Sequence, residues 1–203
     1  MNFFIQGRPG IGKSYTIREC LKDYTDITEG FTVQRLYDDE KLWGFRTCVV
    51  DHSLEPLDAR LDTAGRDGTF ISPGGKDLSV LEKVIAQVEK NCRKSSCRIV
   101  LLDEIGGFEL LSDKFMSSLY EILNSGRLCI GVLKSRQNLK HTIRKRDSNC
   151  EESGELYLNR HDMLQNRLED HGFLYTMTSG NKERIRERLQ TELTIQLQNR
   201  ESK

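Results

Sequence analysis

The sequence predicts an α/β fold in which a mainly parallel sheet is flanked by helices and followed by a C-terminal helix. Short apolar runs alternate with segments of helical periodicity along most of the chain. One of these runs, Ile99–Leu102, is continuously apolar, as is typical of a strand buried on both faces. A glycine-rich loop, Gly7–Ser14, lies between the first apolar run and the first predicted helix.

The N-terminal half is predicted to contain a strand, a helix and then a hairpin. Asn2–Gln6 is a short apolar strand, and a helix follows over Lys13–Asp23. Phe31–Leu36 alternates apolar and polar residues, as an antiparallel or edge strand does, and Phe45–Val50 returns as its hairpin partner. Glu55–Leu61 is a further candidate strand before a second glycine-rich loop.

Helices and strands alternate again in the second half. Apolar residues with helical spacing begin at Leu78, and either Asp77 or a Ser79–Glu82 capping box can cap that helix. Ser112 is the predicted cap of the next helix. Leu128–Leu133 follows as a second buried strand.

The last part of the chain is predicted to be mainly helical. A strand over Glu155–Leu158 is expected to precede a helix capped by Asn159. We predict one domain over residues 1–178 and, over residues 179–203, an amphipathic helix packed on that domain or on a partner. The apolar residues of this helix recur every four positions: Ile185, Leu189, Leu193 and Leu197.

The composition of the 203 residues argues against several classes of protein. Lys and Arg number 31, as do Asp and Glu, and this balance does not favour general electrostatic binding to nucleic acid or to an anionic membrane. The apolar runs are far shorter than the roughly 20 residues that span a bilayer. The N-terminus resembles a strand rather than a signal peptide. Since the six cysteines form no CxxC pair, we predict a reduced, cytoplasmic protein.

The strongest motif is the loop over Gly7–Ser14, which matches G-x-x-x-x-G-K-[ST] in full. Its glycines allow backbone N–H groups to converge on a phosphate, and the helix that follows directs its positive end at the anion. Lys13 is expected to reach the β- and γ-phosphates, and the Ser14 hydroxyl to bind Mg²⁺. The predicted nucleotide-binding residues are Gly7, Arg8, Pro9, Gly10, Ile11, Gly12, Lys13, Ser14 and Tyr15.

A second motif, four apolar residues followed by Asp103 and Glu104, has the Walker B arrangement. A buried strand would bring Asp103 to the carboxyl edge of the sheet, where ligands bind in open α/β folds. There Asp103 would hold Mg²⁺, directly or through water. Glu104 would orient or deprotonate the attacking water, so Glu104 and Lys13 are the predicted catalytic residues.

Each of the weaker candidates has more than one interpretation. The segment Arg127–Arg146 holds seven basic residues and no acidic one. It is either a basic cover with an arginine finger, a surface for an anionic partner, or a solvated face. Arg160 near the base and Trp43 stacked on it are alternatives to ordinary packing roles.

Taken in order, these motifs resemble the small P-loop nucleoside-triphosphatases related to the human cancer-related nucleoside-triphosphatase and its thermophile counterparts. The resemblance implies a RecA-like fold and slow Mg²⁺-dependent hydrolysis of ATP, GTP, CTP and UTP with low base selectivity. It also implies that Asp103 serves Mg²⁺ and that Glu104 is the base. The matching residues outside the phosphate loop are Gly30–Thr32, Gly44-Phe45, Asp103–Gly106, Glu109-Leu110, Ser125-Gly126 and Asn159-Arg160.

Two segments depart from the family pattern. Gly107-Phe108 stands where a Lys-Met pair is usual, and Val132–Ser135 replaces a Thr-x-His-Arg-like run. Lys134 or Arg136 is a candidate substitute for the missing basic residue. Two other functions therefore stay open: a nucleotide or small-molecule kinase, and a nucleotide-gated interaction module with little hydrolysis. The oligomeric state also stays open, a monomer included.

Overall fold

Strands of both directions form one mixed sheet in the computed structural model, which describes residues 1–50, 52–144 and 151–201. Two short 3-10 segments, Lys22–Ile27 and Phe108–Leu111, join larger elements. The strands are β1 Asn2–Gly7, β2 Thr28–Asp38, β3 Lys41–Val49, β4 Asp58–Arg60, β5 Thr69–Ser72, β6 Gly75–Lys76, β7 Ile99–Ile105, β8 Leu128–Leu133 and β9 Gly172–Met177. The helices are α1 Lys13–Leu21, α2 Leu61–Ala64, α3 Leu78–Asn91, α4 Asp113–Asn124, α5 Arg136–Arg144, α6 Glu151–Asp170 and α7 Lys182–Glu201.

Five neighbouring strands of the sheet run parallel. The strand order is β6-β5-β3-β2-β7-β8-β1-β9, and the segment from β2 to β9 is parallel throughout. β3, β5 and β6 extend it as an antiparallel meander, and β4 adds a short parallel pairing to β2. The predicted α/β fold, with a mainly parallel sheet, flanking helices and a C-terminal helix, is confirmed.

Apolar side chains cover both faces of the parallel strands. On one face Phe4, Val100 and Leu102 pack with residues of α3, α4 and α6. On the other face Phe3 and Ile5 pack with residues of α1 and α7. Because successive side chains of a strand point to opposite faces, continuous apolar runs are needed where both faces are covered.

The C-terminal helix α7 packs against the sheet and α1. Ile185, Leu189 and Leu193 are buried in the same cluster as Phe3 and Ile17. The four-residue spacing predicted from the sequence is therefore the buried stripe of this helix. Within the described ranges, no helix is both long and apolar enough to cross a membrane.

The predicted strand Glu155–Leu158 is wrong, and so is the predicted cap at Asn159. Both segments lie inside the helix α6. The apolar-polar alternation of four residues is too short to distinguish a strand from a helix. Over a longer window the buried positions have helical spacing: Tyr157, His161, Leu164 and Leu168.

Other local predictions had mixed outcomes. β2 pairs antiparallel with β3 as expected, but it lies inside the sheet and not at its edge, because its other side pairs with β7. Asp77, not the capping box, caps α3: its carboxylate accepts a hydrogen bond from Ser79 N–H at 2.9 Å. Ser112 caps α4 as predicted. The strands β5, β6 and β9 were not predicted.

Replacing Leu189 by alanine tests the packing of α7. Because this side chain is fully buried between α7, α1 and β1, Leu189→Ala should lower the free energy of unfolding by about 2–5 kcal/mol. Ile195→Ala on the same helix is the matched control, since Ile195 is 41% exposed. Its cost should stay below about 1 kcal/mol in urea unfolding. Equal costs for the two variants would contradict this packing.

Candidate active site

The phosphate loop joins the end of β1 to the start of α1. Gly10 and Gly12 have positive φ angles of 76° and 98°, and Gly12 is the residue that precedes the helix. Gly7 allows close approach to β9, because a Cβ there would lie 2.6 Å from the Met177 carbonyl oxygen. The first turn of α1 therefore presents amide groups without helical partners to the concave side of the loop.

The Lys13 side chain folds back over the phosphate loop. Its Nζ donates hydrogen bonds to the carbonyl oxygens of Gly7 at 3.2 Å and Arg8 at 3.0 Å. Burial lowers the pKa of Lys13, whereas the nearby carboxylates of Glu104 and Asp103 raise it. The ammonium group is thus held over the loop, close to the acidic pair near the end of β7.

The loop and the acidic pair meet in a direct hydrogen bond. The Ser14 hydroxyl donates to Asp103 Oδ1 at 2.8 Å, across 89 residues of sequence. The sheet explains this proximity, because Ile5 of β1 is level with Val132 of β8 and Val132 is level with Asp103 of β7. The predicted residues Lys13, Ser14, Asp103 and Glu104 are therefore gathered at one edge of the sheet.

Asp103 is a buried carboxylate at 2% exposure. Burial raises its pKa from 3.8 to about 7, and the neighbouring Glu104 adds to the rise. The Ser14 hydrogen bond and the charges of Arg18 and Lys13 act in the opposite direction. The second carboxylate oxygen, Oδ2, is buried without a hydrogen-bond partner. A divalent cation fits this oxygen pair, since hard cations prefer carboxylate and hydroxyl ligands.

Glu104 follows Asp103 through a cis peptide bond and is only partly buried. Of the two carboxylates that raise the pKa of Lys13, Glu104 has the larger effect. The Glu104 carboxylate therefore lies near the Lys13 ammonium, where the sequence predicts the catalytic pair.

A buried carboxylate closes the loop after β7. The Glu109 carboxylate accepts a hydrogen bond from Gly107 N–H at 2.6 Å, and a Cβ at Gly107 would lie 2.7 Å from Glu109 Oε2. Burial raises the pKa of Glu109, against that hydrogen bond and the charge of Lys134. The Glu109 carboxylate therefore holds the backbone of this loop at Gly107.

The basic segment Arg127–Arg146 is divided among different contacts. Arg127 donates to the backbone oxygens of Cys92 and Lys94. Arg136 forms a bidentate ion pair with Asp162 at 2.7 and 2.9 Å. The side chain of Arg144, with Lys145 and Arg146, lies outside the described residues.

An uncharged residue of that segment reaches the phosphate loop. Asn138 of α5 donates from Nδ2 to the Gly7 carbonyl oxygen at 3.4 Å. No sequence motif marks this residue, because its contact depends on how α5 packs after β8. An arginine finger stays a prediction for this segment.

The remaining candidates have packing partners. Arg160 donates to the Leu110 carbonyl oxygen at 2.7 Å and pairs with Asp113, so it links α6 to the loop after β7. His161 is fully buried, and its Nε2 donates to the Lys134 carbonyl oxygen at 2.6 Å. Trp43 lies in β3, with the Arg66 guanidinium 5.2 Å from its ring centroid.

Comparison with known proteins identifies the family. A family model described as NTPase matches residues 2–169, which is most of the chain. The chain belongs to this NTPase family. It is therefore an enzyme of the nucleoside-triphosphatase class, and the resemblance stated from the motifs is confirmed.

Curated relatives match between about two thirds and nearly all of this chain. The nucleoside-triphosphatase THEP1 of Methanocaldococcus jannaschii is 25% identical over 93% of this chain and 95% of its own length. THEP1 of Methanothermobacter thermautotrophicus is 30% identical over 69% of this chain and 81% of its own. The crystal structure of THEP1 from Aquifex aeolicus superposes with a TM-score of 0.56 at 18% identity, covering 93% of this chain and 96% of that one. This last similarity supports the fold.

Replacing Asp103 by asparagine should stabilise the metal-free protein at neutral and higher pH. The folded-state pKa of about 7 lies above the ordinary 3.8, so the ionised carboxylate disfavours folding. The wild type should lose stability as pH rises from about 4 to about 7. At pH 8 Asp103→Asn should be more stable by roughly 2–4 kcal/mol, and the gain should vanish towards pH 4.

Urea unfolding in EDTA between pH 4 and pH 8 measures this difference. Asp67→Asn, at an exposed aspartate, is the control and should follow the wild type at every pH. An Asp103→Asn variant that is less stable than the wild type at pH 8 would contradict the assigned burial cost.

Proposed function

We propose that this protein hydrolyses nucleoside 5′-triphosphates to diphosphate and phosphate in a Mg²⁺-dependent reaction with low base selectivity. The substrates would include ATP, GTP, CTP and UTP, and the setting would be the cytoplasm. The observation that carries the proposal is the 2.8 Å hydrogen bond between Ser14 and Asp103, which joins the phosphate loop to the acidic pair. The relatives named above support it, since their names specify a triphosphatase and no particular base.

The loop and Lys13 would bind the phosphates. Amide groups at the start of α1, with the positive end of the helix, suit the α- and β-phosphates. Lys13 Nζ donates hydrogen bonds to the carbonyl oxygens of Gly7 and Arg8, and it can exchange these for phosphate oxygens. As charge spreads over the transferring phosphoryl group, the ammonium and the amides would stabilise it without rearrangement.

Ser14 and Asp103 are the residues that would hold Mg²⁺. The unpartnered, buried Oδ2 of Asp103 supports this assignment, because a buried carboxylate oxygen without a partner is costly. When bound there, Mg²⁺ would supply positive charge to the phosphate oxygens. The cation would also keep Asp103 ionised at neutral pH, against the effect of burial on its pKa.

Glu104 would position the attacking water and accept its proton. This role is supported by partial exposure, which leaves the carboxylate accessible, and by its influence on the pKa of Lys13. A kinase would need an acceptor group in place of this water, and a nucleotide-gated module would bind nucleotide without turning it over.

Phosphate release with each of the four nucleotides tests the proposal. Glu104→Gln should lower kcat by about 100-fold or more while nucleotide binding persists, because the general base is lost while the phosphate loop and Lys13 are retained. Lys13→Ala should lose both binding and turnover. EDTA should abolish turnover of the wild type.

Glu121→Gln is the matched control for the carboxylate, since Glu121 is exposed on α4. It should turn over like the wild type. If Glu104→Gln retained full turnover while Lys13→Ala abolished it, Glu104 would not be the base. Tight nucleotide binding without turnover by the wild type would favour the kinase or the nucleotide-gated module.

A further inference from the structure

The strand order gives the phosphate loop two unlike sides. β7, with Asp103 and Glu104, lies on one side of β1, and β9 lies on the other. In the proposed function the γ-phosphate is at the acidic side. The α-phosphate and the nucleoside must then lie towards β9 and the segment that connects it to α7.

Lys182, the first residue of α7, lies at that second side. Its Nζ is 3.0 Å from the position that a Cβ on Gly12 would occupy, so the ammonium touches the end of the phosphate loop. It is also 5.4 Å from the centroid of the Tyr15 ring, within the range of a cation–π contact. The ion pairs recorded among the described residues do not include Lys182.

The backbone that carries Lys182 is held in place by Asn181. The Asn181 side chain accepts a hydrogen bond from Thr178 N–H at 2.8 Å and donates to the Thr176 carbonyl oxygen at 3.0 Å. Its own carbonyl oxygen accepts from Ile185 N–H at 3.1 Å. Since Ile185 is in the core, packed structure fixes the backbone of Lys182 relative to the loop.

Tyr15 is the aromatic residue next to this ammonium. It follows Ser14 directly and is 54% exposed, one of the most exposed large apolar side chains of the described residues. Tyr15 therefore lies at the C-terminal end of the phosphate loop, where the α-phosphate would bind. A flat exposed ring beside a phosphate site suits stacking of a base, and stacking tolerates every base because each has a π-face.

We propose that Lys182 and Tyr15 form the nucleoside end of the site, in which Lys182 contacts the α-phosphate and the Tyr15 ring stacks on the base. This inference rests on the proposed function and names two residues that act on binding. It also gives a physical reason for low base selectivity, because neither a lysine on phosphate nor a stacked ring reads the hydrogen-bonding edge of a base.

Equilibrium binding by calorimetry tests this inference without any turnover. The two ligands are a non-hydrolysable ATP analogue and inorganic tripolyphosphate, both with Mg²⁺. Lys182→Met keeps the aliphatic stem and removes the charge, and it should weaken both ligands about tenfold, whereas Lys182→Arg should bind like the wild type. Tyr15→Ala should weaken the analogue about five- to tenfold and leave tripolyphosphate unchanged, and Tyr15→Phe should bind normally.

Arg184→Ala is the matched control, an exposed basic residue two positions along the same helix, and it should leave both affinities unchanged. The unfolding midpoint of each nucleotide-free variant separates lost binding from lost folding. The inference is overturned if Lys182→Met, folded like the wild type, binds as Arg184→Ala does. It is also overturned if Tyr15→Ala weakens both ligands equally, because the ring would then affect phosphate binding by the loop and would not stack on the base.

The outcomes separate this inference from the proposed function. If the variants behave as expected but the wild type releases no phosphate, the inference stands and hydrolysis is wrong. If the wild type hydrolyses nucleotides and the Lys182 variants bind normally, hydrolysis stands and the inference is wrong.

Discussion

The hydrogen bond between Ser14 and Asp103 depends on the whole parallel sheet. The two residues are 89 positions apart, and 2.8 Å separates their oxygens because β8 lies between β1 and β7 in a fixed register. A shift of one residue in either pairing would turn Asp103 to the opposite face of the sheet. The apolar residues on both faces, which resist such a shift, therefore set the geometry of the polar site.

Burial of charge at this edge opposes folding and favours ligand binding. The pKa of Asp103 is raised and that of Lys13 is lowered, so each charged group is less stable here than in water. Desolvated groups of opposite sign that face one concave loop are complementary to an anion with a cation beside it. The unpartnered Asp103 Oδ2 is consistent with this view, because a ligand would supply the missing contact.

The sequence predicted the features that depend on local pattern and missed those that depend on packing. The phosphate loop, the run ending at Asp103 and the stripe of α7 are recognisable from spacing alone. The segment Glu155–Leu158 was predicted to be a strand, although it lies inside the helix α6. β9 was missed because most of its residues are only partly buried and lack a clear alternation. Asn138 and Lys182 carry no motif, since their contacts come from distant elements.

The two ends of the candidate site are built on different principles. At the acidic end, Asp103 and Glu104 are held by the paired strand β7, and Ser14 at the start of α1 meets Asp103 through a hydrogen bond of defined geometry. At the other end, Tyr15 of α1 and Lys182 of α7 are held by helices that pack through Ile17 and Ile185. A base stacked there would meet a plane and a point charge, neither of which distinguishes one base from another. If the proposed function holds, geometrically defined ligands at the reacting phosphate and undirected contacts at the nucleoside would together allow hydrolysis of several nucleotides.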